Sequence, residues 1–254
     1  MKLIFLFSIP VLDNNQWFWL FVSAFVIGLA KAGVKGLSMI IVPFMAIAFG
    51  GRASAGLVLP MLSIADLFAV RYYNRDANWS YVWKLLPAAI IGVLIGMTVG
   101  YYIDDELFKK IMAVVVLASL GLMIVQQRRG LPTSITDSKV FGGIFGLLGG
   151  FSTMIGNAAG PVMAVYLLAI NLPKNSFIGT GAWFFLIINL FKIPLHIFVW
   201  KSITLASFSL NLLSLPVIFL GVWLGIKIVK LIPEKSYRYF IIGITFLAAL
   251  RLLF

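Results

Sequence analysis

The chain has 254 residues, 62% of them hydrophobic and 11% charged, with a mean hydropathy of +1.07. These values exclude a water-soluble domain of ordinary composition and indicate one integral membrane unit. A formal charge of +12 would suggest nucleic acid in a soluble protein; here the basic residues sit at the ends of apolar runs, without a stripe of stacking aromatics, so nucleic acid is excluded and membrane lipids are the expected surroundings. Cysteine is absent, which removes disulfides, thiolate metal sites and any sulfur relay.

The opening MKLIFLFSIPVLDNN has one positive charge and an apolar stretch but lacks a small-x-small cleavage site, and is read as retained. Ten apolar segments follow, at roughly 17–32, 36–49, 54–73, 80–103, 108–126, 139–154, 158–172, 175–200, 203–231 and 236–254. The polar stretch QQRRGLPTSITDSK (126–139) divides them into five and five. Three pieces of the first half lie over three of the second in order: GLSMIIVP (36–43) over GPVMAVYL (160–167), DLFAVRYY (66–73) over NLFKIPLH (189–196), and PAAIIGVLIG (87–96) over PVIFLGVWLG (216–225). The expected organisation is an N-terminal transmembrane repeat at 1–127, a linker at 128–138 and a C-terminal transmembrane repeat at 139–254. Five segments per half is odd, so the second repeat enters the membrane inverted, and the fold class is an all-α polytopic membrane protein.

If every segment crosses, Arg71, Arg75, Arg128, Arg129, Lys139, Lys174, Lys227, Lys230, Lys235 and Arg238 fall on one side. Lys2, Arg52, Lys109, Lys110, Lys201 and Arg251 fall on the other. The richer side is expected to be cytoplasmic, with both termini outside. Trp17 and Trp19 open the first segment, and Trp79, Tyr81 and Trp83 the fourth, as an interfacial belt requires. The NWS sequon at Asn78 falls on the cytoplasmic side and is discounted.

The second segment is short: 36–49 as a helix reaches about 20 Å against a hydrocarbon core of about 30 Å. The first two segments of each half either cross or dip as a hairpin, with KAGVKG (31–36) and IGNAAGP (155–161) as deep turns; removing two crossings leaves the sidedness unchanged. Two helix N-termini would then converge, each with about half a positive charge and unpaired N–H donors, which suits a small oxyanion; Lys31 or Lys35 adds a full charge. The plainer reading of both lysines is a cytoplasmic loop. Asn157 takes the corresponding place in the second half as an amide donor, or as a helix cap. Ser152 is a candidate contact in the same turn; it and Thr153 also read as helix-packing hydroxyls.

In INLFKIPLH (188–196), Asn189, Lys192 and His196 share one helix face. Lys192 is well inside its segment, where a charge costs about 2.5–3.5 kcal/mol on insertion scales and so faces a cavity or a partner, unless it snorkels outward. His196 reads as a site residue or as an interfacial one. Asp66 occupies the Asn189 position of the first half; it pairs with a site lysine, carries a coupling proton, or bridges to Arg71. Pro43, Pro60, Pro87, Pro161, Pro194 and Pro216 are expected kinks, and Gly92, Gly96, Gly100, Gly221 and Gly225 packing faces. No HExxH, GxSxG, P-loop or paired acidic cluster is present, so neither an enzyme, nor an ATP-driven pump, nor a metal or other cofactor is expected.

The glycine-spaced turn before a short helix ending in VP (Gly33 to Pro43), the two repeated halves, and GNAAGPVMAVYLLAINLPKNSFIGTGAWFFLIINLFKIPLH (156–196) resemble the sulfite exporter TauE/SafE family over essentially the whole chain. The first half departs from the commonest family form in having KAGVKG where a run of glycines is usual. The resemblance implies transport, commonly export, of small sulfur-containing anions such as sulfite, sulfoacetate or other organosulfonates. A thiosulfate mechanism that relies on cysteines does not fit a chain without them. The expectation is a secondary transporter in the inner membrane whose site is lined by Lys31, Lys35, Ser152, Asn157, Asn189, Lys192 and His196, with Asp66 for proton coupling. Anion uptake, a passive anion channel and a structural or insertase-type membrane protein are the alternatives; a homo-oligomer stays open.

Overall fold

The computed structural model describes residues 10–33, 37–102 and 138–233, together with Asp104, Leu107, Thr136, Ser236, Tyr237, Tyr239, Phe240 and Gly243. Lys35, most of the linker, and the fifth and tenth segments expected from the sequence lie outside the described residues.

Among the described residues all regular structure is helical. The elements are α1 (Asn14–Lys31), α2 (Leu37–Phe49), α3 (Gly51–Tyr73), a 3₁₀ turn (Asn74–Asp76), α4 (Trp79–Tyr102), α5 (Lys139–Gly156), α6 (Gly160–Ala169), α7 (Lys174–Phe198) and α8 (Leu205–Leu231). Helix starts are set by local chemistry. Asp13 accepts from the Gln16 N–H at 2.7 Å while its own N–H donates to Gln16 Oε1, a capping box that starts α1; Thr204 and Ser207 exchange the same bonds ahead of α8. Pro161 lies in the first turn of α6, where no N–H is needed, so it starts that helix instead of kinking it. Pro60, Pro87, Pro194 and Pro216 do lie inside helices.

Helices α3, α4, α5, α7 and α8 are long and apolar enough to cross a membrane. Helices α2 and α6, at 13 and 10 residues, reach only about 20 Å and about 15 Å, short of a bilayer core of about 30 Å. The innermost element is α3: 78% of its apolar window is buried, against 33% for α8. Leu67, Trp83, Ile91, Phe219 and Trp223 face outward, as lipid-facing side chains do.

Three pairings set the architecture. Helices α3 and α7 run antiparallel: Gly179 of α7 abuts the Tyr73 carbonyl at the end of α3, and Ser202, just after α7, abuts Gly56 near the start of α3. Helix α1 runs parallel to α8, and α4 parallel to α5, both through glycine crossings. A Cβ on Gly28 would land on the Ile218 carbonyl, and one on Gly150 on the Ala89 carbonyl; Gly225 lies against Leu29 and Ala32, and Gly96 against Phe151 and Met154. Ala89 and Gly96 hold the same places in PAAIIGVLIG as Ile218 and Gly225 hold in PVIFLGVWLG. Each contact of one crossing thus has its counterpart in the other half. Close backbone approach through small residues is how helices pack where lipid supplies no hydrophobic drive.

Candidate functional site

The first half brings a cation and an anion together in the protein interior. Lys31 ends α1 and is 7% exposed; Asp66, near the middle of the apolar span of α3, is fully buried. Lys31 Nζ lies 2.9 Å from Asp66 Oδ2, and that oxygen also accepts from Asn189 Nδ2 of α7 at 2.8 Å. Lys31 Nζ also stands 4.2 Å from the centroid of the Phe185 ring, a cation–π contact. The end of α1 is therefore deep, with Ala32 and Gly33 buried after Lys31, and Asp66 engages Lys31 while Arg71 is exposed on the next turn and a half. Gly33, with φ of +128°, supplies a backbone conformation that side-chain-bearing residues avoid.

The second half brings a cation to neutral acceptors. Lys192 is fully buried in α7, which rules out snorkelling. Its Nζ donates to the Thr153 carbonyl, to Thr153 Oγ1 at 3.0 Å and to Asn157 Oδ1 at 2.7 Å. Asn157 closes α5 in the left-handed conformation, φ 54°, with its N–H on the Thr153 carbonyl. It is thus a C-cap made by the backbone, the usual helix stop after glycine. Its side chain is left for other work: Oδ1 accepts from Lys192, and Nδ2 donates to the Ala55 carbonyl of α3 at 3.1 Å.

Between these two sets lies a small cavity of about 20 Å³, lined among others by Lys31, Ser38, Thr153, Asn157, Gly160 and Asn189. It is about the size of one water. The N-terminus of α6 opens onto it through Gly160, where a Cβ would meet nothing within 4 Å, and α2 contributes Ser38 from its own first turn. Within this described cluster the formal charges are Lys31, Asp66 and Lys192, which lie within electrostatic reach of one another. Asp66 pairs with Lys31. A buried charge is costly unless it is paired, and the hydrogen-bond acceptors around Lys192 carry only dipoles.

Two sequence candidates sit elsewhere. Ser152 bonds back to the Leu148 carbonyl of its own helix at 2.6 Å. His196 is buried one turn beyond Lys192, with Nδ1 2.9 Å from Ser202 Oγ, its ring edge-on to Trp200 and its carbonyl accepting from the Ser202 N–H; Nε2 has no hydrogen-bond partner. Neither lines the small cavity, and Lys192 stands behind Thr153 and Asn157 and is not among its lining residues. Thr153, Ser38 and Phe185 do line it, and sequence reasoning missed them as site residues. The sequence repeat alone did not single out Thr153; the register of the glycine crossings seen in the structure lays Thr153 over Lys31 and Asn157 over Lys35.

Two larger cavities lie toward opposite ends of α3 and α7. One, of about 400 Å³, is bordered by Tyr72, Tyr73, Asp76, Lys174, Asn175 and Lys230. The other, of about 440 Å³, is bordered by Phe49, Ala53, Leu57, Lys201, Ser202 and Thr204 among others. The central cavity shares no lining residue with either. Among the described residues no group of three or more His, Asp or Glu could hold a metal ion.

A family model described as "Sulfite exporter TauE/SafE" matches residues 20–252 of the chain. Neither the curated proteins nor the solved structures contain a match.

Proposed function

The chain belongs to the sulfite exporter TauE/SafE family and is a transmembrane transporter, and we propose that its cargo is a small sulfur-containing anion, sulfite, sulfoacetate or a similar organosulfonate, exported across the inner membrane. The observation that carries this reading is Lys192, a fully buried lysine whose hydrogen-bond partners among the described residues are all neutral, close to the buried Lys31–Asp66 pair. A small oxyanion in the cavity accepts from Lys31, Ser38 and the first N–H groups of α6, which a helix leaves without intrahelical partners, while Lys192, whose three N–H donors are held by Thr153 and Asn157, contributes its charge from behind the wall.

The antiparallel α3–α7 pair and the matching glycine crossings support an inverted repeat, in which one half rocks against the other around a central site. Asp66 and Asn189 meet where such halves face each other, and Asp66 is the coupling carboxylate. A central cavity that shares no lining residue with either of the larger ones supports alternating access over a passive channel, which needs a continuous wet path. Export of an anion gains about 2.3 kcal/mol per charge for each 100 mV of a potential that is negative inside, so the membrane itself drives the outward direction. His196 and Ser202, on the way to the larger cavity near Lys201, are the outward contacts.

The experiment is thermal unfolding of the purified protein with sulfite, sulfoacetate, taurine, sulfate, thiosulfate and chloride, repeated on Lys192→Ala and Lys31→Ala. Sulfite or a sulfonate should stabilise the wild type, and Lys31→Ala, which removes a charged donor from the cavity wall, should weaken that binding by about tenfold to 100-fold, the worth of one charge-assisted hydrogen bond. If no anion stabilises the wild type, the proposal fails.

A further inference from the structure

Among the described residues, the small central cavity sets several donors against one spare acceptor, and this narrows the class of anion that fits; the inference rests on the function proposed above. Lys31, Ser38 and the first turn of α6 at Gly160 offer N–H and O–H groups there. Thr153 Oγ1 and Asn157 Oδ1 are acceptors, but both are taken by Lys192. Asn189 lines the same cavity and is 1% exposed. Its Nδ2 donates to Asp66 Oδ2 at 2.8 Å, while its Oδ1 is buried and has no hydrogen-bond partner.

Turning the amide over does not cure this. Its oxygen would then face the Asp66 oxygen that now accepts from its nitrogen, so the bond to Asp66 fixes which end is which. Asp66 is not among the residues that border the cavity, so Nδ2 is directed away from it and Oδ1 is the end left toward it. An unmet buried acceptor is costly. An oxyanion of bare oxygens does not relieve it, because a lone pair facing Oδ1 repels.

We propose that the anion carries a hydrogen-bond donor of its own, an O–H or N–H that Asn189 Oδ1 accepts, while Lys31, Ser38 and the N-terminus of α6 hold its oxygens. The hydrogen form of an oxyanion meets this condition, as does a sulfonate with an amino or hydroxyl group beside the sulfur. A fully deprotonated oxyanion or an alkyl sulfonate does not. Among the sulfur anions proposed above, the site therefore prefers hydrogensulfite to the sulfite dianion and to sulfoacetate. Discrimination of this kind comes from what the wrong ligand leaves unpaired. In this conformation the cavity, at about 20 Å³, has room for one water-sized group, so the donor sits on or beside the charged group, not at the end of a chain.

Sulfamate and methanesulfonate make the test, because both are tetrahedral monoanions of nearly equal size that do not titrate near neutral pH, and they differ in carrying NH₂ or CH₃. In calorimetric titration of the purified wild type, sulfamate should bind about tenfold to 100-fold tighter, the worth of meeting one buried acceptor. In Asn189→Leu, which keeps the volume and loses the acceptor, the two affinities should come together. Where loss of the Asp66 bond unfolds that variant, the wild-type ratio alone decides. Equal affinities in the wild type, or tighter methanesulfonate, overturn the inference and leave the transport proposal standing. A preference that survives in Asn189→Leu overturns the part given to Asn189. Binding of neither probe, with sulfite still stabilising the protein to heat, overturns the inference alone; if no anion binds at all, both readings fall.

Discussion

Asn189 and Asp66 occupy the same place in the two aligned halves, and they meet: Asn189 Nδ2 donates to Asp66 Oδ2 at 2.8 Å. A contact between equivalent positions lies where the halves face each other. The neighbouring bonds are sorted by half. Lys31 holds Asp66 within the first, and Lys192 holds Thr153 and Asn157 within the second. Among the described residues around the cavity, the hydrogen bonds from Asn189 to Asp66 and from Asn157 to the Ala55 carbonyl cross from one half to the other, as does the contact of Lys31 with the Phe185 ring. Movement of one half against the other therefore breaks two neutral-donor hydrogen bonds and a cation–π contact at the centre.

The Lys31–Asp66 pair predicts an asymmetry between stability and function. Asp66→Ala leaves Lys31 buried without its carboxylate and should destabilise the protein by about 3–5 kcal/mol. Replacing both together, Lys31→Met with Asp66→Leu, removes the orphan and should restore most of that stability. The double variant should still fail to bind anions, because the cluster loses Lys31 and its polar lining. Thermal unfolding with and without sulfite separates the two effects; a double variant as unstable as the single would mean that the pair is a net stabiliser.

The glycine crossings make a second prediction. A Cβ at Gly150 meets the Ala89 carbonyl and one at Gly28 meets the Ile218 carbonyl, backbone atoms that cannot step aside, whereas one at Gly143 meets nothing within 4 Å. Gly150→Ala and Gly28→Ala should each cost about 1–3 kcal/mol by forcing the helices apart. Gly143→Ala on the same helix as Gly150 should be neutral or stabilising by up to about 1 kcal/mol, since alanine is the better helix former. The three unfolding temperatures in one detergent check this ordering.

The helices were legible in the sequence to within a few residues, because apolar runs of this length leave few alternatives and the polar breaks carry their caps. The shortness of 36–49 was legible too, as α2 has 13 residues. What the sequence did not disclose was polarity at the atomic scale. Asn157 reads as a donor toward the site, yet its oxygen accepts from Lys192 and its nitrogen holds the Ala55 carbonyl. Thr153 and Ser152 are adjacent hydroxyls of the same size, and only the turn of α5 decides that Thr153 faces Lys192 while Ser152 bonds its own helix. His196 shares a face with Lys192, but the loop after α7 folds back over it and supplies Ser202 as its partner. Side-chain direction within one helical turn depends on packing partners far away in the chain, which periodicity does not record.

Sidedness can be read with single thiols, because the chain has no cysteine of its own. The 3₁₀ turn and the start of α7 are tied together, Trp183 Nε1 to Asn74 Oδ1 at 3.2 Å and the Asn78 N–H to Thr180 Oγ1 at 2.9 Å, so Arg75 and Lys174 share one side; Lys201, past the far end of α7, lies on the other. The excess of basic residues on the first side leads to the expectation that it is cytoplasmic. A membrane-impermeant maleimide should label Arg75→Cys only in inverted vesicles and Lys201→Cys only in right-side-out ones. The opposite pattern would reverse the topology and, with it, the side from which each large cavity opens.

Two tyrosines hold the deep turn of the first half on that same side. Tyr73 Oη donates to the Ala32 carbonyl at 3.3 Å and Tyr237 Oη to the Gly33 carbonyl at 2.6 Å, immediately after Lys31. Tyr73 also borders the cavity near Lys174 and Lys230, so these hydroxyls stand between that cavity and the central one. Removing both, in Tyr73→Phe with Tyr237→Phe, leaves two carbonyls unmet at about 1–3 kcal/mol each and frees the turn to move. In a background carrying Ser38→Cys, which places the only thiol at the central cavity, a small charged thiosulfonate reagent should modify the protein slowly with the tyrosines present and faster without them. Asn175→Cys, on the border of the outer part of the same route, should react quickly in both. A rate at position 38 that the double tyrosine change leaves untouched would mean that the path to the site does not pass the turn, and would move the gate to the His196 end.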